Sequence, residues 1–328
     1  MSHGGDVMNV YFWGTRGSLP ASTTTQAIQE KIFKAIRMAR AHPLQTDESI
    51  AAFIQKKLPF PVRGGYGGNT SCIEIRRQNE YVLCDAGTGL RDFGNYAFQA
   101  GKSGQSGSPT EYHIFMSHLH WDHIQGFPFF VPAYIPGNHI NIYGYHADLK
   151  QAFINQQNPP YFPVSLKDMK ASIVFHTLEP GKTYDIAGLS VKGIKQNHPG
   201  DSYGYRFSKE GKKIVYSTDA EHKRESEEEG YDFLGFFEEA DLLIFDAQYT
   251  LADAIGVKEN WGHSNNLVAV ELSISARVKR LCLFHSEHTY DDEALDRFLD
   301  DTRKYLKYHA DAYPLQIDLA YDGLEIEV

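Results

Sequence analysis

The segment Ser117-His118-Leu119-His120-Trp121-Asp122-His123 follows the apolar run Ile114-Phe115-Met116 without a break. Such a run reads as a buried strand, and four side chains able to bind a metal within six residues of its end limit the folds open to the chain. At a strand end, alternation turns His118 and His120 to one side. The turn that follows brings Asp122 and His123 round to a neighbouring point. Imidazole and carboxylate are standard ligands of zinc, iron and manganese, and this arrangement suits two adjacent cations.

Two cations need more ligands than one loop supplies, so His and Asp residues at other strand ends become candidates. His198 follows the strand-like stretch 189–194, Asp219 ends Ile214-Val215-Tyr216-Ser217-Thr218-Asp219, and His285 ends Leu281-Cys282-Leu283-Phe284-His285. Taken singly, each is as well explained as a turn or capping residue. Their shared position at the ends of apolar strands makes them ligand candidates together. His288 ranks below His285, which directly ends its strand. His113, His139, His146, His176, His222 and His309 read as surface or core histidines.

Other β-rich runs lie at 10–13, 72–75, 81–84, 113–116, 173–175, 214–216, 242–245 and 281–284. A helical hairpin is expected at about 26–58, between the first strand and the second: Ile28, Ile32, Phe33 and Ile36 share one face, and Ile50, Phe53, Ile54 and Leu58 repeat the pattern. Further helices are expected at 265–276 and 292–309, and a flexible surface loop at 101–109. The acidic run Glu225-Ser226-Glu227-Glu228-Glu229 reads as a solvated face. Asn158-Pro159-Pro160 and Tyr161-Phe162-Pro163 read as a loop near the site mouth. With no linker and no repeat, one α/β domain over residues 1–328 is the simplest account.

A 328-residue chain that is 42% hydrophobic buries a large core, and its net charge of −10 argues against broad nucleic-acid binding. Cys72, Cys84 and Cys282 each sit inside an apolar strand run without C-x-x-C spacing, so they read as buried thiols in a reducing compartment. MSHGGDVMNV has no basic stretch leading into an apolar one, and no run of eighteen apolar residues occurs. A cytoplasmic protein with no membrane partner is expected.

The order H-x-H-x-D-H, then His, then Asp, then His resembles the signature of the metallo-β-lactamase superfamily. The fold this implies is an αββα sandwich with the metal site at one sheet edge. By position, the resemblance gives His118, His120 and His198 to one divalent cation and Asp122, His123 and His285 to a second, with Asp219 bridging. It also implies zinc by default, although manganese and iron suit the same donors. Phe12-Trp13-Gly14-Thr15-Arg16-Gly17-Ser18-Leu19-Pro20, Gly67-Gly68-Asn69-Thr70-Ser71-Cys72 and Asp85-Ala86-Gly87-Thr88-Gly89 resemble the opening of the branch that holds tRNA 3′-processing ribonucleases and class II cyclic-nucleotide phosphodiesterases. In that branch an aspartate placed like Asp85 supports the histidine loop.

Two further pieces bear on the branch. Trp261-Gly262-His263-Ser264 resembles the Gly-His-Ser/Thr motif of the phosphodiesterases, and Phe245-Asp246-Ala247-Gln248 falls where the ribonucleases carry His-Glu-Ala-Thr. Asp246 is expected to pair with His263 and keep it protonated, so that it donates to a phosphate oxygen or the leaving group. The resemblance implies a phosphodiesterase that cleaves a small phosphodiester, such as a cyclic nucleotide, through a metal-bridging hydroxide that Asp122 orients or deprotonates. A tRNA 3′-processing endoribonuclease is the alternative, weakened by Phe245, by the acidic balance and by the lack of a long basic arm. A di-iron redox or sensor protein is a third reading; redox members usually carry a glutamate where this chain has His120. The hairpin at 26–58 is a candidate lid or homodimer contact.

Overall fold

The computed structural model describes residues 8–76, 80–102, 110–222, 231–256, 261–310 and 312–328. Among them are β1 (Asn9–Gly14), β2 (Cys72–Arg76), β3 (Tyr81–Cys84), β4 (Glu111–Phe115), β5 (His139–Gly144), β6 (Ser172–Thr177) and β7 (Thr183–Ile186). The remaining strands are β8 (Leu189–Gln196), β9 (Ser202–Lys209), β10 (Lys212–Ser217), β11 (Leu242–Asp246), β12 (Arg280–Phe284), β13 (Gln316–Leu319) and β14 (Glu325–Glu327). They form two seven-stranded sheets, ordered β14-β1-β2-β3-β4-β5-β6 and β13-β12-β11-β10-β9-β8-β7.

Phe12, Ile75, Phe115, Tyr205, Phe207, Tyr216 and Phe284 fill the space between the sheets. Leu90 and Phe93 of helix Gly89–Lys102 cover the outer face of the first sheet, together with Phe127, Phe130 and Phe153. Helices Asn266–Ser275 and Asp292–Ala310 cover the second through Val270, Leu272, Leu295 and Phe298. This is the αββα sandwich. Strands covered on both faces need apolar side chains on both, which is why β3, β11 and β12 read as continuous apolar runs.

The pairing puts the chemistry at one edge. β3 and β4 run parallel in the first sheet, and β10, β11 and β12 run parallel in the second. Parallel neighbours end on the same side, where open sheets of this kind place their sites. The loop ends there carry Asp85, the 117–123 segment, Asp219, Asp246 and His285.

The hairpin forms as helices Thr25–Ala39 and Asp47–Lys57, each started by a threonine cap: Thr24 accepts from the Ala27 amide and Thr46 from the Ser49 amide. Lys31 pairs with Asp292 and Lys34 with Glu293, tying the first helix to the last. Its apolar stripe faces solvent, with Ile32 53% and Phe33 66% exposed, while Phe53 and Leu58 are buried. Helix Gly89–Lys102 and strands β5, β7, β9, β13 and β14 were not among the sequence expectations. Gly89 and Gly94 weaken the helix pattern, Gly204 and Arg206 interrupt β9, and β7, β13 and β14 are short. The loop expected at 101–109 lies outside the described residues, apart from 101 and 102, which end a helix. The acidic run 225–229 also lies outside them. The three thiols are buried and form no disulfide. No helix of the described residues is long and apolar enough to cross a membrane.

His113, His146 and His222 are buried, whereas His139 and His309 are exposed. His222 stacks on Phe245 with ring centres 5.1 Å apart, and its Nδ1 lies 2.6 Å from the Tyr231 hydroxyl. Burial there pushes its pKa down to about 3. The unfolded chain therefore takes up this proton near pH 6.5 while the folded chain refuses it, and stability present above pH 6.5 is lost as pH falls toward about 3. We expect His222→Phe to lose less stability than the wild type between pH 6.5 and 4, by about 1 kcal/mol per pH unit, in denaturant unfolding. Parallel acid limbs in the two proteins would remove His222 as the cause.

Candidate metal centre

The site is built on Asp85. It stands just beyond β3 in the left-handed region at φ +62° and is fully buried. Its Oδ1 accepts the Ser117 amide at 2.7 Å, and its Oδ2 accepts the Ser117 and Tyr216 hydroxyls, both at 2.7 Å. The His123 Nδ1 donates to the same Oδ2 at 2.7 Å. That bond sets the His123 tautomer and turns the Nε2 lone pair away from Asp85.

Two other histidines are oriented the same way. Ser117 Oγ, its own proton given to Asp85, lies 3.1 Å from His118 Nδ1 and accepts from it. His198 Nδ1 donates to the Gly262 carbonyl at 2.8 Å. Gly262 sits at φ +85°, and a Cβ there would stand 2.5 Å from His198 Nδ1, so only glycine lets this carbonyl reach the ring.

With their Nδ1 atoms occupied, the Nε2 atoms converge. His118, His120 and His198 offer nitrogens within 4.8 Å of one another, and so do the donor atoms of Asp122, His123, Asp219 and His285. Asp219, at φ +50°, lies between the groups. Its Oδ2 is 3.6 Å from His118 Nε2 and 3.8 Å from His198 Nε2, while its Oδ1 is 3.3 Å from His123 Nε2 and 3.4 Å from His285 Nε2. Asp122 Oδ2 stands 3.2 Å from His285 Nε2 and accepts the Ser18 amide at 2.8 Å. His285 itself is held at φ +60°, an uncommon state for a bulky residue. His288 points elsewhere, to Glu287.

These distances fit cations. His123 Nε2 and His285 Nε2 are 3.3 Å apart, as are His198 Nε2 and His120 Nδ1, and buried His118 Nε2 has no hydrogen-bond partner. Lone pairs brought face to face repel unless a positive charge sits among them, and an orphaned buried nitrogen costs free energy. Burial opposes a charge on His123, yet Asp219, Asp122 and Asp85 raise its pKa well above the ordinary histidine value. Burial opposes ionisation of Asp122, but His123 and His285 hold it far below the usual carboxylate range. The pocket demands positive charge in either case.

Beside these groups, His263 Nδ1 donates to Asp246 Oδ2 at 2.9 Å, and its ring stacks on His285 with centres 5.1 Å apart. Asp246 is fully buried and also accepts the amides of Ala220 and Gln248. Burial of His263 works against its charge, but Asp246, then Asp219 and Asp122, push its pKa up to about 9. The Ser18 amide, the Gly262 carbonyl and the Tyr216 hydroxyl escaped sequence reasoning. Two are backbone groups with no residue-type signal, and Tyr216 passes for a core strand residue.

Comparison with known proteins agrees with this geometry. A family model described as "Beta-lactamase superfamily domain" matches residues 80–286. The chain belongs to the metallo-β-lactamase superfamily. Within it, the chain is similar to the Ribonuclease Z of Picrophilus torridus, 26% identical over 314 residues covering 77% of this chain and 93% of that one. The fold is that of the metallo-β-lactamase fold protein YhfI of Bacillus subtilis, with a TM-score of 0.65 and 20% identity over 98% of this chain and 100% of that one. The Zn²⁺-bound PqqB of Methylobacterium extorquens gives a TM-score of 0.64 at 15% identity, over 98% of this chain and 100% of that one. The family implies divalent metal ions and hydrolysis.

Because Gly262 has no room for a side chain, Gly262→Ala is expected to destabilise the protein by about 1–3 kcal/mol and to displace His198. Denaturant unfolding checks the first effect and a crystal structure of the variant the second. An unshifted midpoint would show that the loop yields without cost.

Proposed function

We propose that this metallo-β-lactamase superfamily member is a dinuclear metal-dependent phosphodiesterase. One observation carries the proposal: two ligand groups face the two oxygens of Asp219, and a cationic His263 stands at the same edge. His118, His120 and His198 would hold one cation, Asp122, His123 and His285 the other, and Asp219 both. Zinc is the proposed metal, although a donor set of His and Asp without thiolate also suits manganese and iron.

Two divalent cations there would supply positive charge for a phosphate and lower the pKa of a water from 15.7 to roughly 7. The chain's own residues do the rest. Asp122, whose Oδ2 is positioned by the Ser18 amide, we assign the task of orienting the water as an acceptor. His263 is protonated at neutral pH, and because its Nδ1–H is engaged by Asp246, its Nε2–H is the proton available to the leaving oxygen. As the water oxygen, having given up a proton to bulk solvent, bonds to phosphorus, the bond to the leaving oxygen would break and that oxygen would take the His263 proton.

The name Ribonuclease Z borne by the curated relatives favours an RNA substrate over a cyclic nucleotide, and that reading takes precedence in the substrate test. A small phosphodiester stays the second reading on specific grounds. Phe245 stands where the resemblance to the processing ribonucleases calls for histidine, and Trp261-Gly262-His263-Ser264 matches the phosphodiesterase motif.

Metal-loaded protein should be assayed on a tRNA precursor with a 3′ trailer, on cyclic nucleotides and on bis(p-nitrophenyl) phosphate. Cleavage of the precursor at its 3′ side supports the ribonuclease reading, cleavage of the cyclic nucleotides alone supports the small-substrate reading, and inactivity on all three rejects phosphodiester chemistry. His263→Ala should lower kcat about 10²- to 10⁴-fold while bound metal, counted by atomic absorption, stays the same. Loss of metal in that variant would make His263 a ligand instead of an acid.

A further inference from the structure

A surface helix normally turns its apolar side inward and its charges to solvent, and helix Thr25–Ala39 does the reverse. Its half-buried positions Ala27, Lys31, Lys34 and Met38 recur at i, i+4, i+7 and i+11, bordered by Ala35 and Ala39, and mark the face turned to the protein. That face is held by charge, since Lys31 pairs with Asp292 and Lys34 with Glu293 of the last helix. Ile28, Ile32 and Ile36 run i, i+4, i+8 along the outer side and are 47%, 53% and 61% exposed, with Phe33 beside them at 66%.

No residue of this 15-residue helix is buried. Isolated helices of that length are marginal in water, and in proteins most helical stability comes from packing an apolar face. Ion pairs between side chains as open as Lys34 and Glu293 contribute little. The outer stripe is therefore a face built to be covered.

Area and charge both point to the cover. The four side chains leave about 450 Å² of apolar surface open, toward the upper end of the largest patch on an ordinary monomer, and a standard interface takes about 800 Å² from each partner, a little over half of it apolar. Glu30 and Arg37 lie on the same flank of the stripe, two helical turns apart. When two such helices pack antiparallel, like flanks meet with direction reversed. Glu30 of one copy then stands beside Arg37 of the partner subunit, and the pair forms twice. A lipid surface fits less well, because the chain carries a net charge of −10 and Asp47 and Glu48 open the next helix of the hairpin.

We propose that helix Thr25–Ala39 is the contact of a homodimer, in which two copies pack their Ile28, Ile32, Phe33 and Ile36 stripes antiparallel across a two-fold axis. A two-fold contact uses the same patch on both copies, so a self-complementary stripe is what it requires. The contact does not depend on what the metal centre cleaves.

Sedimentation velocity on the full chain tests this. The wild type should sediment as twice the 37.1 kDa chain, with a Kd in the micromolar range or below. Each substitution enters the interface twice, so Ile32→Asp and Phe33→Asp should each weaken the dimer roughly 100-fold or more. Near-ultraviolet circular dichroism should stay unchanged, because both positions are exposed. Glu30→Arg and Arg37→Glu should each weaken it roughly 10-fold, and the two together should restore it. A wild type that keeps the mass of one chain up to about 100 μM overturns the proposal, as does a dimer that both aspartate variants leave intact. A monomer that floats with phosphatidylglycerol vesicles would also overturn it and give the stripe to lipid. A double charge reversal that binds no tighter than the single ones overturns the antiparallel pairing.

Discussion

The carboxylate of Asp85 fixes the site before any metal arrives. Fully buried, it is surrounded by four donors: the Ser117 amide and hydroxyl, the Tyr216 hydroxyl and the His123 ring. Each is charge-assisted, and such bonds are shorter and roughly twice as strong as neutral ones. They join three strands from two sheets, since Asp85 follows β3, Ser117 follows β4 and Tyr216 belongs to β10. Ser117 passes the constraint on to His118, and one buried charge thereby sets two imidazole tautomers.

The same device recurs with weaker partners. His198 is turned by a backbone carbonyl instead of a carboxylate, and His120 stands toward solvent. One member of each ligand group, His118 and His123, is thus tied to Asp85, while His120 of the first group stands toward solvent. Backbone strain gathers at the same edge: Asp85, Asp219 and His285 all sit at positive φ just past strand ends. Aspartate tolerates that region through local hydrogen bonds, whereas histidine there is held by its surroundings. The sheet ends pull the chain round sharply enough to aim side chains inward.

Much of this was legible in the residues. His198, Asp219 and His285 stand out because each closes an apolar run, and buried parallel strands must end where helices and loops begin. The eight strands expected from such runs all formed. What stayed hidden has a common cause. Strands β7, β13 and β14 are short and carry polar residues, so neither periodicity nor composition separates them from loops. The Ser18 amide and the Gly262 carbonyl act through atoms every residue possesses. The apolar stripe of helix Thr25–Ala39 was legible, but what covers it was not: periodicity marks a face as apolar without saying whether this chain covers it, and here Ile28, Ile32, Phe33 and Ile36 remain at the surface.

The position of Phe245 bears most on what chemistry the centre supports. Where the resembling ribonucleases are expected to carry a histidine, this chain places a fully buried phenyl ring that stacks on His222. His222 is held neutral by burial and hydrogen-bonded to Tyr231, so it does not replace the missing imidazole as an acid. In the proposed phosphodiesterase, proton delivery to a leaving oxygen would fall to His263, which stands beside the ligand groups with its pKa pushed up to about 9 chiefly by Asp246. Asp246 is suited to that duty, because the amides of Ala220 and Gln248 anchor it while it holds the His263 ring.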